Sequence, residues 1–348
     1  MPQFQNFTAE DKIIETVVVT KGFHSGDLGT VVGSSFVTSS LTASQQEYYA
    51  NVSYNSVDHF SATFGNINGS GSDDTVGQTK AIYKQMSDIL LFPDDIENNG
   101  FQFDGSTTEE NVYFLVANRS RMKDRVNKKN WTMHLSGSST SQNLGASVSL
   151  TDDSADVAPT ATPVGSRYNI VEGALGVVTT PATTKTYGWF YPDMGIFALA
   201  ETQMSTSIPG TPFSPSASGE SGTTLLSSAS GFTFDDHADA QNHMKLVAGI
   251  SASATGITMR NEERQITTSY FVRCKANQWN CSNNPTFTSE SKQDNSYAIK
   301  EMTGNPSTFI TEVGLFSGNN KLVAVGKLSA PVHKSFNDEA YIKVNLVY

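Results

Sequence analysis

The chain has 348 residues, with 23 basic and 34 acidic side chains, a formal charge of −11, and only 16% charged and 37% hydrophobic residues. The deficit in both is filled by 78 Ser and Thr and by 27 Gly. This excludes a coiled coil, which would be rich in Ala, Glu, Lys, Leu and Arg, and a collagen, for want of a Gly-X-Y period. It also argues against full disorder, since 20 Phe, 12 Tyr and 3 Trp are enough to build cores. The expected fold is mainly β with one or two short helices, as antiparallel sheets or β-sandwich-like modules joined by long Ser/Thr/Gly-rich loops. The length suggests two or three domains of about 100–200 residues each. We place them at 1–118, 119–265 and 266–348. The apolar runs fall short of the roughly 20 residues that span a bilayer, so no membrane contact is expected. The N-terminus shows neither the basic region nor the apolar core of a signal peptide. Net acidity argues against general nucleic-acid binding, which depends on cations facing phosphates.

In chain order, Glu15–Thr20 is β-branched and dense enough for a buried strand. Val31–Val37 and Tyr48–Ser53 follow as strands. The Asn66–Ser72 segment reads as a flexible loop by composition. From Thr79 to Leu91, Ile82, Tyr83, Met86, Ile89 and Leu90 recur at three- and four-residue steps, which predicts an amphipathic helix. Thr79 is its expected N-cap, and Pro93 ends it at or just before Phe92. Asn111–Ala117 predicts a buried strand.

That strand runs into Arg119, Arg121, Lys123, Arg125, Lys128 and Lys129, six of the 23 basic residues within eleven positions. One reading is a solvated loop or helix face. The other is an electrostatic contact with an acidic neighbouring subunit. Nucleic acid comes third, since no aromatic side chain is interleaved to stack on bases. The Ser/Thr-rich stretches 136–158 and 202–230 read as extended loops or linkers. Between them, Tyr168–Val178 and the aromatic Tyr187–Leu199 read as strands, the latter packed around a turn. Ser269–Cys274, Phe309–Phe316, Lys321–Leu328 and Ala340–Val347 are further strands, with Ser317–Asn320 closing a hairpin. The last strand ends near the terminus, so it is expected to pair at an edge or with another chain. Its Tyr341, Lys343 and Tyr348 join the six cations as candidate subunit-interface residues.

The search for chemistry finds no catalytic, cofactor or metal motif. Cys274 and Cys281 lack redox or zinc spacing and are expected to be reduced. The cluster from Asp235 to His243 contains metal-ligand types, but a six-residue step puts His237 and His243 on different helix faces. Gly219-Glu-Ser-Gly222 lacks nucleophile-elbow spacing. Asp73-Asp74 and Asp152-Asp153 do not fit a calcium loop, and Asp94-Asp95 reads as a solvated acid pair. We therefore expect a non-enzymatic protein without cofactor.

Several segments resemble a family of virion structural proteins from contractile-tailed phages of the T-even type, including those of cyanobacteria. They are Gly69–Ser72 with Gln78–Tyr83, Arg119–Lys123 with Asn130-Trp131, Tyr187–Asp193 with Gly195, and Phe271–Arg273 with Ser282–Phe287. Ile310–Phe316 and Leu322–Pro331 complete the set. The resemblance follows chain order across most of the sequence and skips the Ser/Thr-rich stretches. It implies a virion building block with no catalytic residue, assembled in the host cytoplasm and released without a signal. The implied partners are other virion proteins and copies of itself. Tail baseplate or its periphery is the first expected position, and a neck, head-associated or capsid-decoration position the second. A fibre-attachment adhesin touching a host glycan through Tyr187–Tyr191 and Trp131 is a separate possibility, although aromatic clusters of this kind usually form core.

Overall fold

The computed structural model describes residues 5–22, 37–38, 48–54, 57–72, 77–98, 100–136, 147–207, 242–252, 256–282, 287 and 302–347. The fold is mainly β and its named strand pairs are antiparallel. In chain order the strands begin with β1 (Lys12–Gly22), β2 (Val37–Thr38), β3 (Tyr49–Tyr54), β4 (Val57–Asn66) and β5 (Asn111–Ala117). Next come β6 (Arg125–Ser136), β7 (Ser147–Asp152), β8 (Thr160–Thr162), β9 (Gly165–Ala174), β10 (Val177–Thr180), β11 (Gly188–Tyr191) and β12 (Ile196–Ala200). The last four are β13 (Ile257–Cys274), β14 (Thr308–Phe316), β15 (Leu322–Lys334) and β16 (Ala340–Val347). Five α-helices are described: α1 (Gln78–Leu90), α2 (Pro93–Asn98), α3 (Arg119–Met122), α4 (Glu201–Ser207) and α5 (Asn242–Ala252). No helix among the described residues is long and apolar enough to cross a membrane.

The chain divides into two compact units, Val18–Glu263 and a smaller one made of Met1–Val17 with Arg264–Tyr348. The larger unit is built on a sheet in the order β13-β6-β7-β9-β11-β12-β5-β4-β3-β2. Its middle strands are buried on both faces, which explains their nearly unbroken apolar sequence. On β5, Tyr113 and Leu115 enter one apolar cluster, while Val112 and Phe114 enter the other. The first cluster holds Trp131, Phe190 and Phe197, with ring centroids 4.8–5.2 Å apart. Leu246, Val247 and Ile250 of α5 belong to it as well. The second holds Trp189, Phe101, Phe103 and Phe114, with Tyr83 and Leu90 of α1.

The smaller unit is organised differently. Here β13 pairs with β16 from Thr267↔Val347 to Cys274↔Ala340. β14 and β15 form a separate two-stranded hairpin. Among the described residues its buried apolar side chains are Cys274, Leu315, Ala340 and Ile342, and neither large apolar cluster includes any of them.

Several local expectations are corrected. β1 is a strand, but an exposed one, with Ile13, Ile14, Val17 and Val18 all in the solvent-exposed class. β-branching reports strand propensity and leaves burial to the neighbours. Thr79 is not the N-cap; Gly77 occupies that place in a left-handed conformation. Thr79 lies inside the first turn, where its N–H donates to Ser72 Oγ (2.9 Å) and its Oγ1 donates to the Ser70 carbonyl (2.9 Å). The cap thus comes from a serine seven residues upstream. The Asn66–Ser72 segment is an ordered turn. Asn66 Oδ1 accepts the N–H groups of Asn68, Gly69 and Ser70 at 2.7–2.9 Å. α1 ends at Leu90, and Pro93 then opens α2, where its missing N–H is harmless.

Within 136–158, Ser147–Asp152 is an internal strand rather than a loop, with Val148, Leu150, Thr151 and Asp152 buried. The 137–146 segment, most of 202–230, nearly all of 31–37, and Asp73, Asp74, Gly219–Gly222, Asp235 and His237 lie outside the described residues. β13 begins twelve residues before the strand expected at Ser269. Its first half, Met-Arg-Asn-Glu-Glu-Arg-Gln, carries too many charges for a composition-based strand assignment.

Candidate interaction surfaces

The basic segment lies in the larger unit and is largely tied into it. Asn118 caps α3 by accepting the N–H (3.0 Å) and hydroxyl (2.9 Å) of Ser120. Arg119 Nη1 donates to the Asp193 carbonyl (3.1 Å). The Arg121 carbonyl accepts from Asn261 Nδ2 (2.9 Å), which fastens α3 to β13. Arg125 is the most committed cation. Its Nε donates to Glu262 Oε1 at 2.7 Å, its Nη2 contacts the same oxygen, and Asp193 stands 3.8 Å away. Glu262 is only 5% exposed, and its hydrogen bonds push the Arg125 guanidinium pKa further up. Its second oxygen accepts from Asn127 Nδ2 (3.0 Å).

Of the three lysines, Lys128 and Lys129 have partners in the same unit. Lys128 Nζ donates to Tyr168 Oη (3.0 Å). Lys129, in a left-handed conformation at φ 65°, gives its N–H to both Asp152 oxygens (2.9 and 3.2 Å). Asp152 and Asp153 are thus buried structural acceptors. Asp153 takes the N–H (3.0 Å) and side-chain amide (2.7 Å) of Asn169, while burial raises its carboxyl pKa. What remains exposed from the cationic segment is Arg119, Lys123, Lys128 and Lys129.

Beside Lys129 the larger unit presents an apolar tip. Leu175 at φ 47° and Gly176 at φ 76° turn the chain from β9 to β10. Their N–H groups are taken by the hydroxyls of Thr132 (2.8 Å) and Thr151 (2.9 Å). A side chain at position 176 would come within 2.8 Å of the Lys129 Cα, so glycine is required there. The turn leaves Leu175 53% and Val177 72% exposed.

In the smaller unit, Tyr341 is exposed on β16, with Arg273 over its ring at 5.5 Å. Lys343 Nζ sits 5.7 Å from the Phe271 ring centre. Tyr348 lies outside the described residues. β16 does pair within its own chain, at β13. A groove of about 500 Å³ beside β14 is lined by Phe7, Val272, Ile310, Leu315 and Ile342, among others. At the end of β15, Lys334 is fully buried. Its ammonium donates to the carbonyls of Ala276 (3.1 Å) and Ser335 (2.7 Å) and to Asn280 Oδ1 (2.7 Å). Three acceptors match the three N–H bonds of an ammonium, so this lysine is a structural tie.

The other chemical candidates resolve into structure. Tyr187, Trp189, Phe190, Tyr191 and Trp131 are all buried, so they form core and no aromatic platform for a sugar ring. Asp94 and Asp95 are exposed in the first turn of α2. His134 Nδ1 lies 2.8 Å from Ser149 Oγ, and burial lowers its pKa. His333 Nδ1 is 3.2 Å from Asp338. Hydrogen bonding from Ser335, then His333, holds the Asp338 carboxyl low. Among the described residues, no group of three His, Cys, Asp or Glu converges as a metal site. Cys274 is buried, which raises its thiol pKa, and Cys281 is exposed.

Two surfaces were missed by sequence reasoning: the Leu175–Val177 tip and the outer face of the β14–β15 hairpin. The signal for the second was available. Leu322-Val323 and Val325 place more apolar residues at the start of one strand than a single buried face can use. No protein-family model, curated protein or solved structure matches the chain.

Proposed function

We propose that this chain is a non-enzymatic structural subunit of a contractile-tailed phage virion, assembling by protein–protein contacts in the tail baseplate or its periphery. The observation that carries the assembly part is the open state of the smaller unit. Among the described residues, fourteen exposed large apolar side chains lie in it and eight in the larger unit, although it holds under a third of the chain. Exposed apolar strands on this scale favour a protein partner. The virion part is supported by the segments, in matching chain order, that resemble T-even-type structural proteins. The test is quantitative peptide mass spectrometry of gradient-purified virions, with antibody labelling to locate the chain. Stoichiometric, multi-copy presence at the tail end supports the reading. Absence from purified particles overturns it, and labelling at the neck or head moves the position.

A further inference from the structure

We propose that the outer face of the β14–β15 hairpin is a self-complementary interface, on which a second copy of this chain packs through its own hairpin. The inference rests on the reading of the protein as an assembling subunit and names the surface and partner for one contact.

The pairing register defines the face. Directly opposed residues of an antiparallel pair share a side. Val313↔Gly326 and Leu315↔Ala324 therefore form one face. Leu315 is buried there, and a Cβ at Gly326 would sit 3.9 Å from Val344 Cγ1 of β16, so this face points inward. The alternate pairs, Glu312↔Lys327, Gly314↔Val325 and Phe316↔Leu322, point outward. Phe316, Leu322 and Val325 are 45%, 54% and 52% exposed, and the bulge between Leu315 and Phe316 leaves Val323 at 63%.

These side chains form one patch because of Gly314. A Cβ there would meet Phe316 Cε2 at 3.1 Å and Leu322 Cδ1 at 3.3 Å. With only hydrogen in that place, the ring and the leucine close over the backbone beside Val325. The tip is held by Ser317 N–H to the Lys321 carbonyl (2.8 Å) and Asn320 N–H to the Ser317 carbonyl (2.9 Å). The rim is an ion pair, Glu312 with Lys327 at 3.5 Å, the two side chains 53% and 77% exposed.

Three features select a second copy as the occupant. The first is the rim. One carboxylate and one ammonium beside an apolar centre form a pattern that a two-fold rotation matches to itself, bringing Glu312 of each copy to Lys327 of the other. The second is net charge. The smaller unit has ten basic and nine acidic side chains, whereas the larger has thirteen and twenty-five. Two copies can meet through the smaller unit without the repulsion that a chain of −11 would otherwise meet. The third is area. Taking about 200 Å² for a fully exposed aromatic side chain as an upper bound for the smaller aliphatic ones, the exposed fractions at Phe316, Leu322, Val323 and Val325 leave at most a few hundred Å². That suits the apolar centre of an interface taking about 800 Å² per partner.

The test is the association state of the full-length protein, followed by sedimentation over a wide concentration range. The wild type is expected to dimerise reversibly. Val325→Asp should raise the dissociation constant at least about tenfold, because the interface would bury an unpaired carboxylate. Position 325 is half exposed, so the melting temperature of a dilute sample serves as the folding control. Glu312→Lys and Lys327→Glu should each weaken association several-fold, and the two together should restore it. A wild type that stays monomeric at every concentration overturns the proposal. So does a dimer indifferent to Val325→Asp, which would use another surface, or a hairpin that binds only a different virion protein. Each of these leaves the chain's presence in purified virions untouched, so the structural reading can stand when the dimer does not.

Discussion

The larger unit spends its apolar residues inside, and the smaller one leaves them on the surface. In the larger, strands such as β5, β11 and β12 are sandwiched between two aromatic clusters. In the smaller, β14 and β15 keep one face exposed, and among the described residues four apolar side chains are buried. The charges divide the same way: the larger unit carries −12 and the smaller +1, which together make the net −11. Net charge opposes the close approach of copies of the acidic unit. A unit that is nearly neutral and open gains from a neighbour. Two-stranded hairpins are marginal by themselves, so β14–β15 has the most to gain.

The sharpest way to break this comparison is to strike the closed core. Trp131→Ala removes a fully buried ring that packs on Phe190 and Phe197. It should destabilise the larger unit by about 3–5 kcal/mol in a urea titration. A loss below 1 kcal/mol would mean that the core is far looser than its packing indicates.

In the smaller unit the comparable weak point is polar. Lys334→Met leaves the Ala276 and Ser335 carbonyls and the Asn280 amide oxygen without their shared donor. The expected cost is about 2–3 kcal/mol. Proteolysis should then cut within the smaller unit before the larger. Equal protection of both units would show that the ammonium is dispensable.

Sequence legibility follows the same divide. Strands buried on both faces announced themselves as apolar runs, as in Asn111–Ala117 and Tyr187–Leu199, and the Ser317–Asn320 turn identified its hairpin. β7 was hidden because its inward side chains include Thr151 and Asp152, which satisfy backbone groups across the sheet. The α1 cap was hidden because its donor–acceptor pair is non-local. For the candidate surface, composition located the basic segment correctly. It could not foresee that Arg125 would turn to Glu262, 137 residues away. Nor does sequence alone reveal that Phe316, Leu322 and Val325 share a face, since this depends on the bulged register of β14 and β15.

Exposed apolar residues in the two units offer a finer contrast. Val177 is 72% exposed at the start of β10 in the larger unit, next to the turn that carries Leu175. Val177→Asp should change stability by less than about 0.5 kcal/mol and leave sedimentation unchanged, whereas Val325→Asp should weaken association. If Val177→Asp alone dissociates the protein, the assembly contact belongs to the larger unit and the comparison inverts.

The smallest expected effect concerns Asp153. Burial raises its carboxyl pKa against the opposing pull of two hydrogen bonds from Asn169. A folded pKa above the unfolded one means that the native state holds its proton more tightly. This group's contribution to stability is therefore full below the unfolded pKa and is lost as pH rises through the folded one. Asp153→Asn keeps the polar shape and removes the titration, with the Asn169 amide free to turn and supply an acceptor. Unfolding free energy measured from acid to neutral pH should show wild type losing ground to the variant across the carboxylate range. A constant difference between the two curves would mean that Asp153 titrates alike in the folded and unfolded chains. Its pair of hydrogen bonds would then offset the burial in full.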